Sequence, residues 1–137
     1  MDDYRDRVAT ALLALRVGVF VVMFMWTLDK FVAPEHAARI FASFYGISGL
    51  QTIAAYAIGG AELLLILAFV AGLQKRVTYA LVFLLHAGST LSSYRQYLDP
   101  FDNLLFFAAW PMLAACFALY LLRDLDTRWT LGRAAAA

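Results

Sequence analysis

Glu62, His86 and Arg16 are the residues of this chain best placed for proton or ion chemistry, because each is set among apolar neighbours. In "GGAELLLILAFVAGLQKR", residues 59–76, Glu62 has no opposite charge within a dozen residues on either side. A carboxylate and an imidazole can exchange protons, and a guanidinium can neutralise the carboxylate. His86 also begins a polar series. Ser89, Thr90, Ser93 and Tyr97 follow it at i+3, i+4, i+7 and i+11, which share one face of a helix. A ridge of this kind can line a path for protons or hold the polar end of a ligand.

The elements that must position these residues follow from composition. Of the 137 residues, 64% are hydrophobic and 15% charged, against about 45–50% and about 25% in soluble domains. The excess is arranged in segments of about 20 residues, each long enough to cross ~30 Å of hydrocarbon. The chain reads as an all-α integral membrane protein. Expected spans are about 8–28, 51–73, 77–97 and 104–122. The connector 29–50 contains "EHAARIFASFYGI", whose apolar spacing predicts a short interfacial helix. "QKR" and "LDPFDN" are turns, Pro111 is a kink in the fourth span, and the tail after 122 is amphipathic and then frayed. No repeat or linker divides the chain, so 1–137 is one antiparallel four-helix transmembrane domain.

Net charge of +1, without a basic stripe, carries no nucleic-acid footprint, and no Cys/His spacing suits a metal. The single Cys116 forms no intrachain disulfide. Acidic "MDDYRD" is not the start of a cleavable signal, so the first span is expected to remain as an anchor. Arg5, Arg7, Lys75, Arg76, Arg123, Arg128 and Arg133 fall on one side of the spans, and only Lys30, Arg39 and Arg95 on the other. That asymmetry predicts cytoplasmic termini in a bacterial-type inner membrane.

Counted from the span ends, Arg16, Glu62 and His86 reach similar depth, and charges at that depth cost at least ~2.5–3.5 kcal/mol unless they face inward and pair. The expectation is an Arg16–Glu62 ion pair with His86 beside it. From this base a polar seam should run through Ser89 and Ser93 to Tyr97, opening at a mouth formed by Asp29, Lys30, Arg95, Asp99 and Asp102. Each feature also has a structural reading. The ion pair can lock helix register, His86 can be a hydrogen-bonded core residue, and the hydroxyls can bond to i−4 carbonyls.

The order of features resembles the DoxX-like family. "ALRVGVFVVMFMWTLDKF" is similar to that family's first helix, and "GGAELLLILAFVAGLQKRVTYALVFLL" to its second helix and following turn. Arg16, Gly18, Lys30, Glu62, Gly72 and Arg76 are the matching positions, and the likeness covers roughly residues 12 to 122. His86, Arg95 and "LDPFDN" have no counterpart in it. The resemblance implies a four-helix inner-membrane protein; some relatives are the membrane subunit of a thiosulfate:quinone oxidoreductase.

Three functions are then open. One is a quinone-linked subunit of a membrane redox complex, with Glu62 and His86 as proton-exchanging groups and Phe83 and Tyr94 lining an apolar slot. No quinone is expected to be covalently bound, and the chain has no redox centre of its own. Another is a non-catalytic anchor or assembly subunit held by other protein chains and the bilayer. The third is a small-solute or proton pathway through the seam.

Overall fold

The computed structural model describes residues 2–132; Arg133 and the alanines after it, part of the expected frayed tail, lie outside the described residues. The described chain is all-α, with no strand. Helix α1 spans Asp2–Val32, α2 Pro34–Tyr45, α3 Thr52–Val70, α4 Lys75–Ser92, α5 Tyr94–Tyr97 and α6 Ala109–Leu121. Asp2 and Asp3 lie in the first turn of α1 and Lys30 in its last, matching the helix dipole at both ends. Pro34 starts α2, and Gly46 ends it with a left-handed φ of 68°.

Two antiparallel pairs build the bundle. In α1 and α3, Thr27 meets Glu62 while Phe31 stacks on Tyr56, so the chains run in opposite directions. Gly59 permits this approach: a Cβ there would lie 2.9 Å from the Phe31 ring and 3.2 Å from Lys30 Cβ. In α4 and α6, Phe83 packs on Phe117 and His86 reaches Ala109. The pairs also touch each other, α3 against α4 and α1 against α6, closing a ring of four helices.

That closure is tight at one end only. Leu12, Val19 and Phe69 from the first pair interlock with Tyr79, Val82, Cys116 and Leu119 from the second. All are buried, and Phe69 meets Tyr79 edge-on at 5.1 Å between ring centres. This core lies near the α3–α4 turn, where Gly72 and Gln74 both take positive φ. At the opposite end the pairs separate.

Burial is inverted relative to a water-soluble domain. Leu64 and Leu84 are 73% and 61% exposed, whereas Arg16, Thr27 and Asp126 are 0% exposed. Three segments, Asp2–Val32, Thr52–Val70 and Leu104–Leu121, are long and apolar enough to cross a membrane. Helix α4 falls short because it carries Lys75, Arg76, His86 and five hydroxyl residues. Even so, Leu81 and Leu91 are exposed on the outside of the bundle while Thr78, His86 and Thr90 are buried.

Some boundaries differ from those expected. The third span does not continue to Tyr97: α4 stops at Ser92, Ser93 turns at φ −87° and ψ 20°, and α5 is separate. Pro111 is not a mid-helix kink. It is the third residue of α6 and follows a 3₁₀ segment, Leu104–Ala108, as suits a residue with no N–H to give. The segment 126–132 folds back onto the closed end of the bundle.

Candidate functional site

Where the pairs part, a cavity of about 1100 Å³ opens between them. Sites for small organic molecules run to roughly 1,000 Å³, so this one is large. Its walls are mainly apolar: Val22, Met23 and Trp26 of α1, Leu84 and Leu85 of α4, Met112 of α6. Helix α2 lies across it with Ile40, Phe41 and Phe44 in the lining. Phe44 stacks on Phe106 at 6.2 Å, and the Tyr45 hydroxyl lies 2.7 Å from Ser89 Oγ, so α2 bridges the two pairs.

Polar groups enter from two sides. On the α1/α3 wall, Lys30 Nζ is 3.0 Å from Glu62 Oε2. Thr27 Oγ1 is 3.3 Å from the same oxygen and donates to the Met23 carbonyl at 2.8 Å. Lys30 Nζ also reaches the Trp26 carbonyl at 3.4 Å. On the opposite wall stand His86, Ser89, Thr90 and Ser92 of α4, with Ser93 just past its end. His86 Nε2–H donates to the Ala109 carbonyl at 3.1 Å, while Thr90 donates to the His86 carbonyl and Ser93 to that of Ser89. Part of the hydroxyl ridge therefore bonds back to its own helix, and Ser89 turns instead to α2.

The expected Arg16–Glu62 pair does not form. Lys30, which pairs with Glu62, stands 14 residues beyond Arg16 on α1, about 21 Å along the axis at 1.5 Å per residue. Helix α1 is 31 residues long, more than the ~20 that cross hydrocarbon, so its middle is not level with the middle of α3. Arg16 lies outside the cavity, at the closed end. Its Nη1 donates to Asp126 Oδ1 at 2.5 Å and its Nη2 to the carbonyls of Arg128 and Trp129 at 2.6 and 3.2 Å. Tyr79 O–H donates to Asp126 Oδ2 at 2.6 Å, and Lys75 Nζ to the Asp126 carbonyl. Burial pushes the Lys75 ammonium below the usual lysine range, and the Asp126 charge opposes it. Leu131 N–H completes the seam by donating to the Ala71 carbonyl at 2.8 Å.

The structure brings together Glu62, His86, Ser89, Ser93 and, from the expected mouth, Lys30. It does not bring in the others. Tyr97 packs on Phe107 and Trp110 outside the cavity lining, since the break at Ser93 carries it off the ridge. Asp29 pairs with His36 at 2.7 Å. Arg95 folds onto the neighbouring Tyr94 ring, and Asp99 and Asp102 are exposed, so no charged mouth assembles from them. Phe83 and Tyr94 do not line the cavity either; the aromatic walls are Trp26, Phe41, Phe44 and Phe106. Sequence reasoning missed α2's part in the site. The signal was the apolar face of "EHAARIFASFYGI", which needs something to cover. No group of His, Cys, Asp and Glu suited to a metal occurs among the described residues. Compared with models of known families, with curated proteins and with solved structures, the chain matches none.

Proposed function

We propose that this chain is a DoxX-like, multi-pass protein of a bacterial-type inner membrane, acting as an accessory, quinone-linked subunit of a membrane redox complex. Four spans, α4 included, form the bundle. The inverted burial supports this, because a helix with leucines outside and His86 and Thr90 inside is stable only where the surroundings are apolar. Arg5, Arg7, Lys75, Arg76, Arg123 and Arg128 belong to the closed end and face the cytoplasm, by the basic-residue asymmetry.

The single observation that carries the functional reading is the cavity of about 1100 Å³, apolar for most of its wall and polar at two opposed places. A quinone fits that donor set: Lys30 Nζ can donate to one carbonyl oxygen, and whichever of the paired Ser89 and Tyr45 hydroxyls is not donating to the other can donate to the second. Aromatic rings supply flat apolar walls for the ring and its tail. A continuous solute pathway has less support, since the core from Leu12 to Leu119 packs across the far end.

Gly18 and Gly88 line the cavity, and a Cβ at either meets nothing within 4 Å. Gly18→Leu and Gly88→Leu should fill the cavity without disturbing the bundle. Quinone reduction by membranes carrying the native complex should fall in both variants at normal assembly. Unchanged rates in both would overturn the quinone-linked role and leave the anchor reading.

A further inference from the structure

Among the described residues, Lys30 and Glu62 are the only two charged ones in the cavity wall, and they are spent on each other at 3.0 Å. The remaining titratable groups there are His86, which donates to a backbone carbonyl and meets no carboxylate, and Tyr45, which bonds to Ser89. Asp29, close by on α1, is taken up by His36, and Arg16 by Asp126. The site therefore presents no net charge to its occupant. What it offers is hydroxyls and aromatic faces.

This bears on the molecules that surround it. A bilayer is full of anionic amphiphiles whose tails would suit the apolar walls, and a lysine at the cavity wall is the group that would hold their heads. With Glu62 already bound to Lys30, an anionic head must displace a carboxylate from its cation or sit beside it uncompensated. Either is costly where water is scarce. An uncharged head with a hydroxyl or carbonyl pays no such cost and bonds to Ser89, Tyr45 or the spare proton of Lys30.

We infer that Glu62 is a specificity residue: by neutralising Lys30 it restricts the cavity to uncharged amphiphiles and turns away anionic lipids and fatty acids. The inference rests on the reading of the cavity as a binding site and adds which class of head it accepts. It also gives a reason for a carboxylate in an otherwise apolar helix. Removing its charge should convert the selectivity rather than merely abolish binding. Glu62→Gln keeps the size and one acceptor oxygen for Lys30, so the local fold is retained while the lysine charge becomes available.

The test uses the full chain in phosphatidylcholine nanodiscs with two spin-labelled probes, a long-chain alcohol and the alkyl sulfonate of the same chain. Binding is read from the immobilised fraction of the nitroxide signal. The native chain should bind the alcohol and discriminate against the sulfonate by about tenfold or more, the order expected for one charge-assisted contact. Glu62→Gln should remove that discrimination or reverse it, and adding Lys30→Met should abolish the sulfonate binding so gained. The native chain's preference is measured without any variant, so misfolding of Glu62→Gln leaves the inference exposed to refutation. Equal binding of both probes by the native chain, or no gain in a folded Glu62→Gln, overturns the charge inference while leaving the cavity a binding site. Binding of neither probe overturns the inference together with the reading beneath it.

Discussion

Arg16 and Asp126 are 110 positions apart in sequence and joined at 2.5 Å, with both side chains at most 1% exposed. The pair ties the segment after α6 to the middle of α1. Tyr79 and Lys75 hold the same aspartate from α4, so two helices converge on one residue of the tail. Asp126 is thus a keystone of the closed end, while Glu62 serves the open end.

Breaking either partner leaves a buried charge unpaired, which costs ~3–5 kcal/mol in comparable cases. Arg16→Ala and Asp126→Ala should each lower the thermal midpoint in detergent sharply, and the double variant should lose much less than the sum. Arg16→Ala combined with Glu62→Ala should be additive, because no contact links those sites. Coupling in the second cycle and none in the first would contradict the assigned pairing.

Gly72 and Gly59 are among the glycines that close approach requires. A Cβ on Gly72 would lie 2.6 Å from Thr130 Cγ2, and the residue has a φ of 69°. Gly72→Ala should loosen the tail and cost ~1–3 kcal/mol through strain and overpacking. Restoring space with Thr130→Gly should recover only the steric part. Gly59→Ala, which meets the movable ring of Phe31, should cost less. Unfolding midpoints of the three variants rank the effects, and a neutral Gly72→Ala would refute the tail contact.

Lys75 sets a pH dependence. Burial lowers its folded-state pKa from 10.5, so the unfolded chain holds this proton more firmly. The unfolded state then binds more protons in the window between the lowered value and 10.5, and stability rises with pH across it. Below that window both states are protonated and the cost of a buried ammonium is fully present. Lys75→Met should flatten the alkaline rise of the midpoint. A variant whose midpoint climbs as steeply as the native protein's would remove Lys75 as the cause.

Orientation is tested by thiol labelling. Cys116 is 2% exposed, so the native background should be low. A cysteine at Ser43 on α2 should react with an impermeant maleimide added to spheroplasts, and one at Gln74 only after lysis. The opposite pattern would invert the bundle in the membrane.

Much of this architecture is legible in the sequence because apolar runs and their punctuation are local. The reversal between α3 and α4 and the short amphipathic α2 follow from neighbours within a few residues, although α4 already begins at Lys75, so that Lys75 and Arg76 of "QKR" are helical. The polar ridge from His86 to Ser93 is legible for the same reason. Partner choice is not local. Glu62 was expected to meet Arg16 because depth was counted from span ends, and α1 runs past those ends on both sides. The true partners, Lys30 and Asp126, stand at helix ends where charges belong anyway, so their types raise no alarm. The tail's role was hidden by its alanines, which suggest fraying, although Asp126 and Arg128 just before them are the anchors.

The central claim is that the cavity beneath α2 takes an uncharged, bilayer-soluble ligand of the quinone class. Trp26 lines it, whereas Trp110 and Trp129 do not. Titrating the protein in nanodiscs with an isoprenoid benzoquinone should quench tryptophan fluorescence saturably at one equivalent per chain. The saturable component should vanish in Trp26→Phe and in Gly88→Leu, leaving only the linear quenching of a ring dissolved in lipid. Linear quenching alone in the native protein, or a saturable component that survives Gly88→Leu in a folded bundle, would contradict the account.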